Sequence, residues 1–126
     1  MYTIDFRVEG QTNTQQEYVY TIINRRELVL RVIATPTNVP TGFFKGCSQL
    51  TEVKGNAETI GNSAFEGCTQ LVTVNLPQVK TIGNSAFHLC THLVSANLPQ
   101  VTTIGPRAFH SCTQLGTVNF PQVTTI

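Results

Sequence analysis

Apolar residues along this chain recur with a long period. Residues 60–81 (IGNSAFEGCTQLVTVNLPQVKT), 82–103 and 104–125 align over 22 positions each, and 39–59 is a looser copy one residue shorter. Aligned, the apolar positions fall into columns: Ile60/Ile82/Ile104, Ala64/Ala86/Ala108, Phe65/Phe87/Phe109, Cys68/Cys90/Cys112, Leu71/Leu93/Leu115, Val74/Ala96/Val118, Leu76/Leu98/Phe120 and Val79/Val101/Val123. Self-similarity at this period predicts a solenoid, in which each unit buries its apolar side only against its neighbours. The stretch LVTVNLP predicts a short strand with Leu71, Val74 and Leu76 inward and Thr73 and Asn75 outward. Pro77, Pro99 and Pro121 end it, because proline cannot donate to a ladder. A second extended piece follows. Gly61, Gly83 and Gly105 then lead into NSAFxxC, which predicts one helical turn capped by Asn or Ser, with Pro106 suited to a first helical position. The smaller Ala96 and larger Phe120 suggest a volume-keeping exchange between neighbouring columns, and Gly55 in place of leucine predicts an irregular first rung.

Residues 1–38 do not follow the repeat. Residues 2–8 alternate as a strand, with Tyr2, Ile4, Phe6 and Val8 on one face. Two β-branched and aromatic runs, 18–23 and 28–33, are joined by Asn24-Arg25-Arg26-Glu27 and read as a hairpin. The segment is therefore expected to be an N-terminal β cap, strand plus hairpin, over the first of four repeats spanning 39–126. The sequence stops at Ile126, where a fifth unit would begin, so the last rung is expected to be open. That leaves Leu115, Val118, Phe120, Val123 and Ile126 as candidates for burial against another molecule, as in a homo-oligomer or a longer array.

Composition changes this picture little. The 126 residues carry a net charge of +1 with only 12% charged, which gives no electrostatic case for nucleic acid or an anionic membrane. Eight of the fifteen charges precede residue 32, leaving the repeats neutral and rich in Thr, Asn and Gln. No apolar run approaches transmembrane length and no secretory signal opens the sequence.

The pattern L-x-x-V-x-L-P-x-V-x-x-I-G-x-x-A-F-x-x-C-x-x-L resembles the BspA-like, or Treponema-type, leucine-rich repeat, over three full copies and a degraded fourth. The resemblance implies a β-rich α/β, right-handed solenoid with short parallel strands along one face. It also implies a cell-surface or secreted, bacterial or protist, adhesion-type protein that binds host proteins or other cells, with no catalytic residues and no cofactor.

Candidate chemistry is sparse. Cys47, Cys68, Cys90 and Cys112 occupy one column, where Cα atoms ~5 Å apart fall within disulfide range. Parallel Cβ vectors in stacked rungs spoil the disulfide dihedral, and the spacing is not that of a zinc module, so buried free thiols are the favoured reading. His88 and His110 share a repeat position with Lys45 and Glu66, and His92 lies four residues after His88. Since that position accepts such different residues, solvated turn side chains are favoured over a metal contact. No nucleophile, base and orienting group converge in the sequence, so an enzyme is not expected. What remains is an outward face of Thr73, Asn75, Ser95, Asn97, Thr117 and Asn119, flanked by Gln70, His92 and Gln114. It suits a protein or glycan partner. The competing expectation is a spacer whose polar face merely solvates the sheet.

Overall fold

The computed structural model describes residues 2–6 and 12–119, of which 12–17 and 119 are described by backbone alone. Among the described residues, two parallel sheets run along the repeats. The six-stranded one has the order β1-β2-β4-β6-β8-β10, from β1 (Tyr2–Asp5), β2 (Val29–Ala34), β4 (Glu52–Lys54), β6 (Thr73–Asn75), β8 (Ser95–Asn97) and β10 (Thr117–Asn119). The four-stranded one is β3-β5-β7-β9, from β3 (Asn38–Val39), β5 (Thr59–Ile60), β7 (Thr81–Ile82) and β9 (Thr103–Ile104). Strands one repeat apart pair in register, as in Val53↔Val74↔Ala96 and Ile60↔Ile82↔Ile104. The fold is the expected leucine-rich-repeat solenoid.

The apolar columns fill the space between the sheets. Leu50, Leu71 and Leu93 are fully buried, as are Leu76, Leu98, Val79 and Val101. Phe44, Phe65, Phe87 and Phe109 stack face on face, with ring centres 5.0, 5.1 and 5.3 Å apart and planes within 10°. A parallel offset stack at this separation is a favourable aromatic arrangement, worth ~1 kcal/mol per pair beyond the area buried. Leu71, Val74 and Leu76 point inward and Thr73 and Asn75 outward, as the alternation predicts. Phe120 lies outside the described residues, so the exchange expected between it and Ala96 does too.

The third side differs in detail from the expected helical turn. It is a chain of hydrogen-bonded four-residue turns. The bonds Cys47 N–H to Phe44 O, Cys68 to Phe65, Cys90 to Phe87 and Cys112 to Phe109 close the second turn of each rung at 3.1–3.2 Å. Its third residue, Gly46, Gly67, Leu89 or Ser111, has a positive φ between 64° and 75°, the mark of a type II turn and incompatible with a right-handed helix. The first turn repeats this with Gly42, Ser63, Ser85 and Arg107 at φ 55–64°. Pro106 thus sits at the second position of a type II turn, which its fixed φ also suits. Helical bonding is replaced because these turns point their N–H groups along the stack. Phe44, Phe65 and Phe87 donate to Ala64, Ala86 and Ala108 of the next rung at 2.7–2.8 Å. Gly83 serves that closeness, since a Cβ there would stand 2.6 Å from the Asn62 nitrogen.

The N-terminal segment corrects the expected hairpin. Residues 12–24 are a helix, α1 (Thr12–Asn24), and β1 pairs with β2 in parallel through Tyr2↔Val29 and Ile4↔Val32. Parallel neighbours cannot be joined by a tight turn and need a crossover of about a dozen residues, which α1 supplies. Tyr18, Thr21 and Ile22, at helical spacing, face inward, while Tyr20 and Ile23 remain more than half exposed. The run 18–23 was too short for periodicity to separate helix from strand. β2 also belongs to the repeat frame, pairing Arg31↔Glu52 and Val32↔Val53.

This segment closes the solenoid in two ways. Phe6 packs on Tyr18 and Phe43 at ring separations of 5.7 and 6.0 Å, covering the start of the phenylalanine stack. Arg26, from the short 3₁₀ turn Arg26–Leu28, donates through Nη1 to the carbonyls of Phe43 and Lys45 at 3.2 and 2.5 Å. In later rungs the equivalent carbonyls of Ala64 and Glu66 accept N–H groups from the preceding rung. The guanidinium stands in for the rung that is missing. In the first rung, expected to be irregular, β4 still pairs in register with β6, while Gly55 lies against Thr35, whose buried hydroxyl has no hydrogen-bond partner.

Candidate functional site

The outward face of the six-stranded sheet carries the expected residues in register. Thr73, Ser95 and Thr117 form one column and Asn75, Asn97 and Asn119 the next. The side chains of Thr73, Asn75, Asn97 and Thr117 are exposed and Ser95 is half-buried. Of Asn119 only the backbone is described. Asn97 Nδ2 donates to Asn75 Oδ1 at 2.9 Å, so the amides bond along the stack as well as facing out. Gln70 and Gln114 are exposed in the turns that precede β6 and β10. His92 occupies the equivalent turn but is tied down, its Nδ1–H donating to the Thr69 carbonyl at 2.7 Å.

Pairing also brings in residues that the sequence reading did not place on this face. Arg31↔Glu52↔Thr73 continue the first column, and Lys54↔Asn75 the second. The face is therefore charged over β2 and β4 and neutral over β6 to β10. Arg31 was missed because it lay in the supposed hairpin. Val72 and Val94, at the entries of β6 and β8, are 39% and 44% exposed beside the hydroxyl column. They add an apolar component to the neutral part of the face, which is otherwise of hydroxyls and amides.

A second column runs along the outer corner of the turns, at the second position of each second turn: Lys45, Glu66, His88 and His110. It is an interacting chain rather than a row of independent solvated groups. Lys45 Nζ lies 3.2 Å from Glu66 Oε1, and His88 Nδ1–H donates to Glu66 Oε2 at 2.7 Å. The His88 and Glu66 side chains are only 20% and 19% exposed. The hydrogen bond from His88, with help from Lys45, lowers the Glu66 carboxyl below its ordinary range. The His88 and His110 rings are centred 5.1 Å apart, and Ser111 Oγ lies 3.2 Å from His110 Nδ1. The serine thus meets one imidazole and the carboxylate the other, which is not the relay of a hydrolytic triad. His92 does not join the pair.

All four cysteines are free, and Cys47, Cys68 and Cys90 are fully buried. Sγ of Cys68, Cys90 and Cys112 each donate to the carbonyl of a phenylalanine one rung back, at 3.1–3.3 Å. Burial pushes the Cys47 and Cys112 thiols up to about 11 and those of Cys68 and Cys90 further, so they stay protonated and inert.

The candidates for self-association are only partly described. Leu115 is half-buried and Val118 exposed, whereas Phe120, Val123 and Ile126 lie outside the described residues. In the same repeat an open cleft of ≈ 390 Å³ is lined by Ile104, Arg107, Ala108, Phe109 and His110 among others. Among the described residues no helix is long and apolar enough to cross a membrane.

Residues 27–126 match the family model of the BspA type leucine rich repeat region, in six copies. Two solved structures are similar to the chain. A leucine-rich repeat protein from Bacteroides ovatus is 34% identical, with a TM-score of 0.69 over 79% of this chain and 30% of that one. A leucine rich cell surface protein from Faecalibacterium prausnitzii is 25% identical, with a TM-score of 0.62 over 74% of this chain and 26% of that one. The chain thus spans less than a third of either. No curated protein matches it.

Proposed function

This chain belongs to the BspA-type leucine-rich-repeat family, and on that footing we propose that it is a non-enzymatic, adhesion-type module of a bacterial cell-surface or secreted protein that binds protein or glycan through the outward face of the six-stranded sheet. The observation that carries the reading is the registered array of Thr73, Ser95 and Thr117 beside the exposed Val72 and Val94. Repeated hydroxyls and amides at strand spacing suit the hydroxyls of a sugar or the backbone of an extended peptide. The valines supply apolar contact beside them. The name of the Faecalibacterium relative places that protein at the cell surface, in keeping with this reading.

The surface has few aromatic or arginine anchors, so each contact is weak and affinity grows with the number of rungs engaged. The test is a panel of matrix proteins, plasma proteins and glycans presented to the folded chain at multivalent density. Saturable capture of one class is expected. If nothing is captured, the chain is a spacer within a longer array.

A further inference from the structure

We propose that His88 and His110 form a two-imidazole site for a divalent transition metal of the zinc, nickel or copper type, oriented by the Glu66 carboxylate. The site lies on the turn corner, away from the sheet face, and is independent of the binding role above.

Three features carry it. The first is spacing. An ion held tetrahedrally by two imidazoles, with metal–nitrogen bonds of about 2.0–2.1 Å, sets the ring centres roughly 5 Å apart. These rings stand 5.1 Å apart, tilted by 48°. The solenoid fixes that spacing, because backbone bonds from Gly67 to His88 at 2.8 Å and from Leu89 to His110 at 3.0 Å bracket both residues.

The second is the tautomer. His88 donates its Nδ1–H to Glu66 at 2.7 Å, which puts the lone pair of the neutral ring on Nε2. A ligating histidine commonly donates its other N–H to a carboxylate in this way, which fixes the ring and raises its basicity. Lys45, 3.2 Å from the other carboxylate oxygen, keeps Glu66 in place. His110 meets Ser111 through Nδ1, a contact in which the serine hydroxyl can donate or accept and which does not engage Nε2.

The third is access. His88 is one-fifth exposed and His110 is exposed, so hydrated ions reach the ring edges. Among the described residues no group of three or more His, Cys, Asp or Glu converges on one point. Among the described residues the two imidazoles are therefore the protein ligands on offer, with the other positions left to water. Imidazole favours zinc, nickel and copper over magnesium or calcium.

The test is calorimetric titration of the folded chain with zinc chloride, and separately nickel chloride, at neutral pH with a phosphine reductant. One ion per chain is expected. H88Q and H110Q should each abolish saturable binding, H92Q should leave it unchanged, and E66Q should weaken it about 10–100-fold. Zinc should raise the melting temperature of the wild type and of H92Q but not of H88Q or H110Q. Should a histidine variant fold poorly, nitrogen NMR of the wild type gives the same answer, with Nε2 of His88 and His110 alone shifting on metal addition. Absence of saturable binding would overturn the proposal. So would binding that survives the double variant H88Q/H110Q, which would place the ion elsewhere on the chain. An unchanged affinity in E66Q would remove the carboxylate from the account.

Discussion

Two columns of side chains, one on the sheet face and one on the turn corner, are stacked by the same repeat and behave differently. On the face, Thr73, Ser95 and Thr117 are near-copies of one another, and in the next column Asn75 and Asn97 bond like to like. On the corner the residue changes from Lys45 to Glu66 to His88 before His110 repeats the imidazole, and each meets its neighbour through charge, hydrogen bond or ring contact. Stacking brings residues 21 or 22 positions apart into contact in both cases. Likeness along a column yields a uniform surface for something outside the molecule. Difference along a column yields chemistry inside it. Variability in a repeat position is therefore no sign that the position is idle.

The comparison rests on the shared stack, and the largest effect should come from breaking it. Phe87→Ala removes the central ring between Phe65 and Phe109, and core truncations of this size cost about 3–5 kcal/mol. Denaturant titration should show that loss as one cooperative shift, with both columns disordered together.

The thiols buried beneath the corner come next. An unfolded chain ionises its cysteines near 9.0, while the folded one holds Cys47 and Cys112 protonated to about 11. Their contribution is full below pH 9 and lost as pH rises from there through about 11, because only the unfolded state gains by releasing protons. Melting temperature should fall over that window by an amount equivalent to a few kcal/mol. Cys68→Ala with Cys90→Ala should flatten the slope while lowering the neutral-pH value.

Arg26→Met tests the end of the corner column. It leaves the Phe43 and Lys45 carbonyls without their donor and should cost about 1–3 kcal/mol, more than Arg31→Met on the sheet face, as read by thermal unfolding. The smallest effect should be a gain. Leu89 sits at φ 64° where two earlier rungs have glycine, so Leu89→Gly should stabilise by roughly 0.5–1 kcal/mol.

Much of the fold was legible because the repeat states it several times over. The columns named from the alignment are core columns in the second and third copies, including the cysteines, whereas in the last copy Phe109, Cys112 and Leu115 are partly buried and Val118 is exposed. What was not legible has physical causes. The helix α1 was hidden in a run of six apolar and β-branched residues whose periodicity suits either state, and only parallel pairing of β1 with β2 decides it. The type II turns were hidden because Ser63, Ser85, Leu89 and Arg107 occupy positive-φ positions that usually announce themselves by glycine. At the site, register could be read for Thr73, Ser95 and Thr117, but Arg31, Glu52 and Lys54 joined that face only once β2 and β4 were paired. The corner column was visible as a set of positions. Its bonds were not, since side-chain direction at a turn depends on the turn type.

The sheet-face reading is the central claim, and the structure points to a clean way of testing it. Asn75 and Asn97 bond to each other, so replacing them would disturb stability as well as the surface. Thr73 and Thr117 are exposed on the same face and suit substitution better. The decisive measurement is capture of the panel's ligand by T73K/T117K beside a control, T81K/T103K, on the exposed face of the four-stranded sheet. The account predicts that the first variant loses capture, that the control keeps it, and that both melt as the wild type does. Equal capture by the two variants, or loss only in the control, would contradict it.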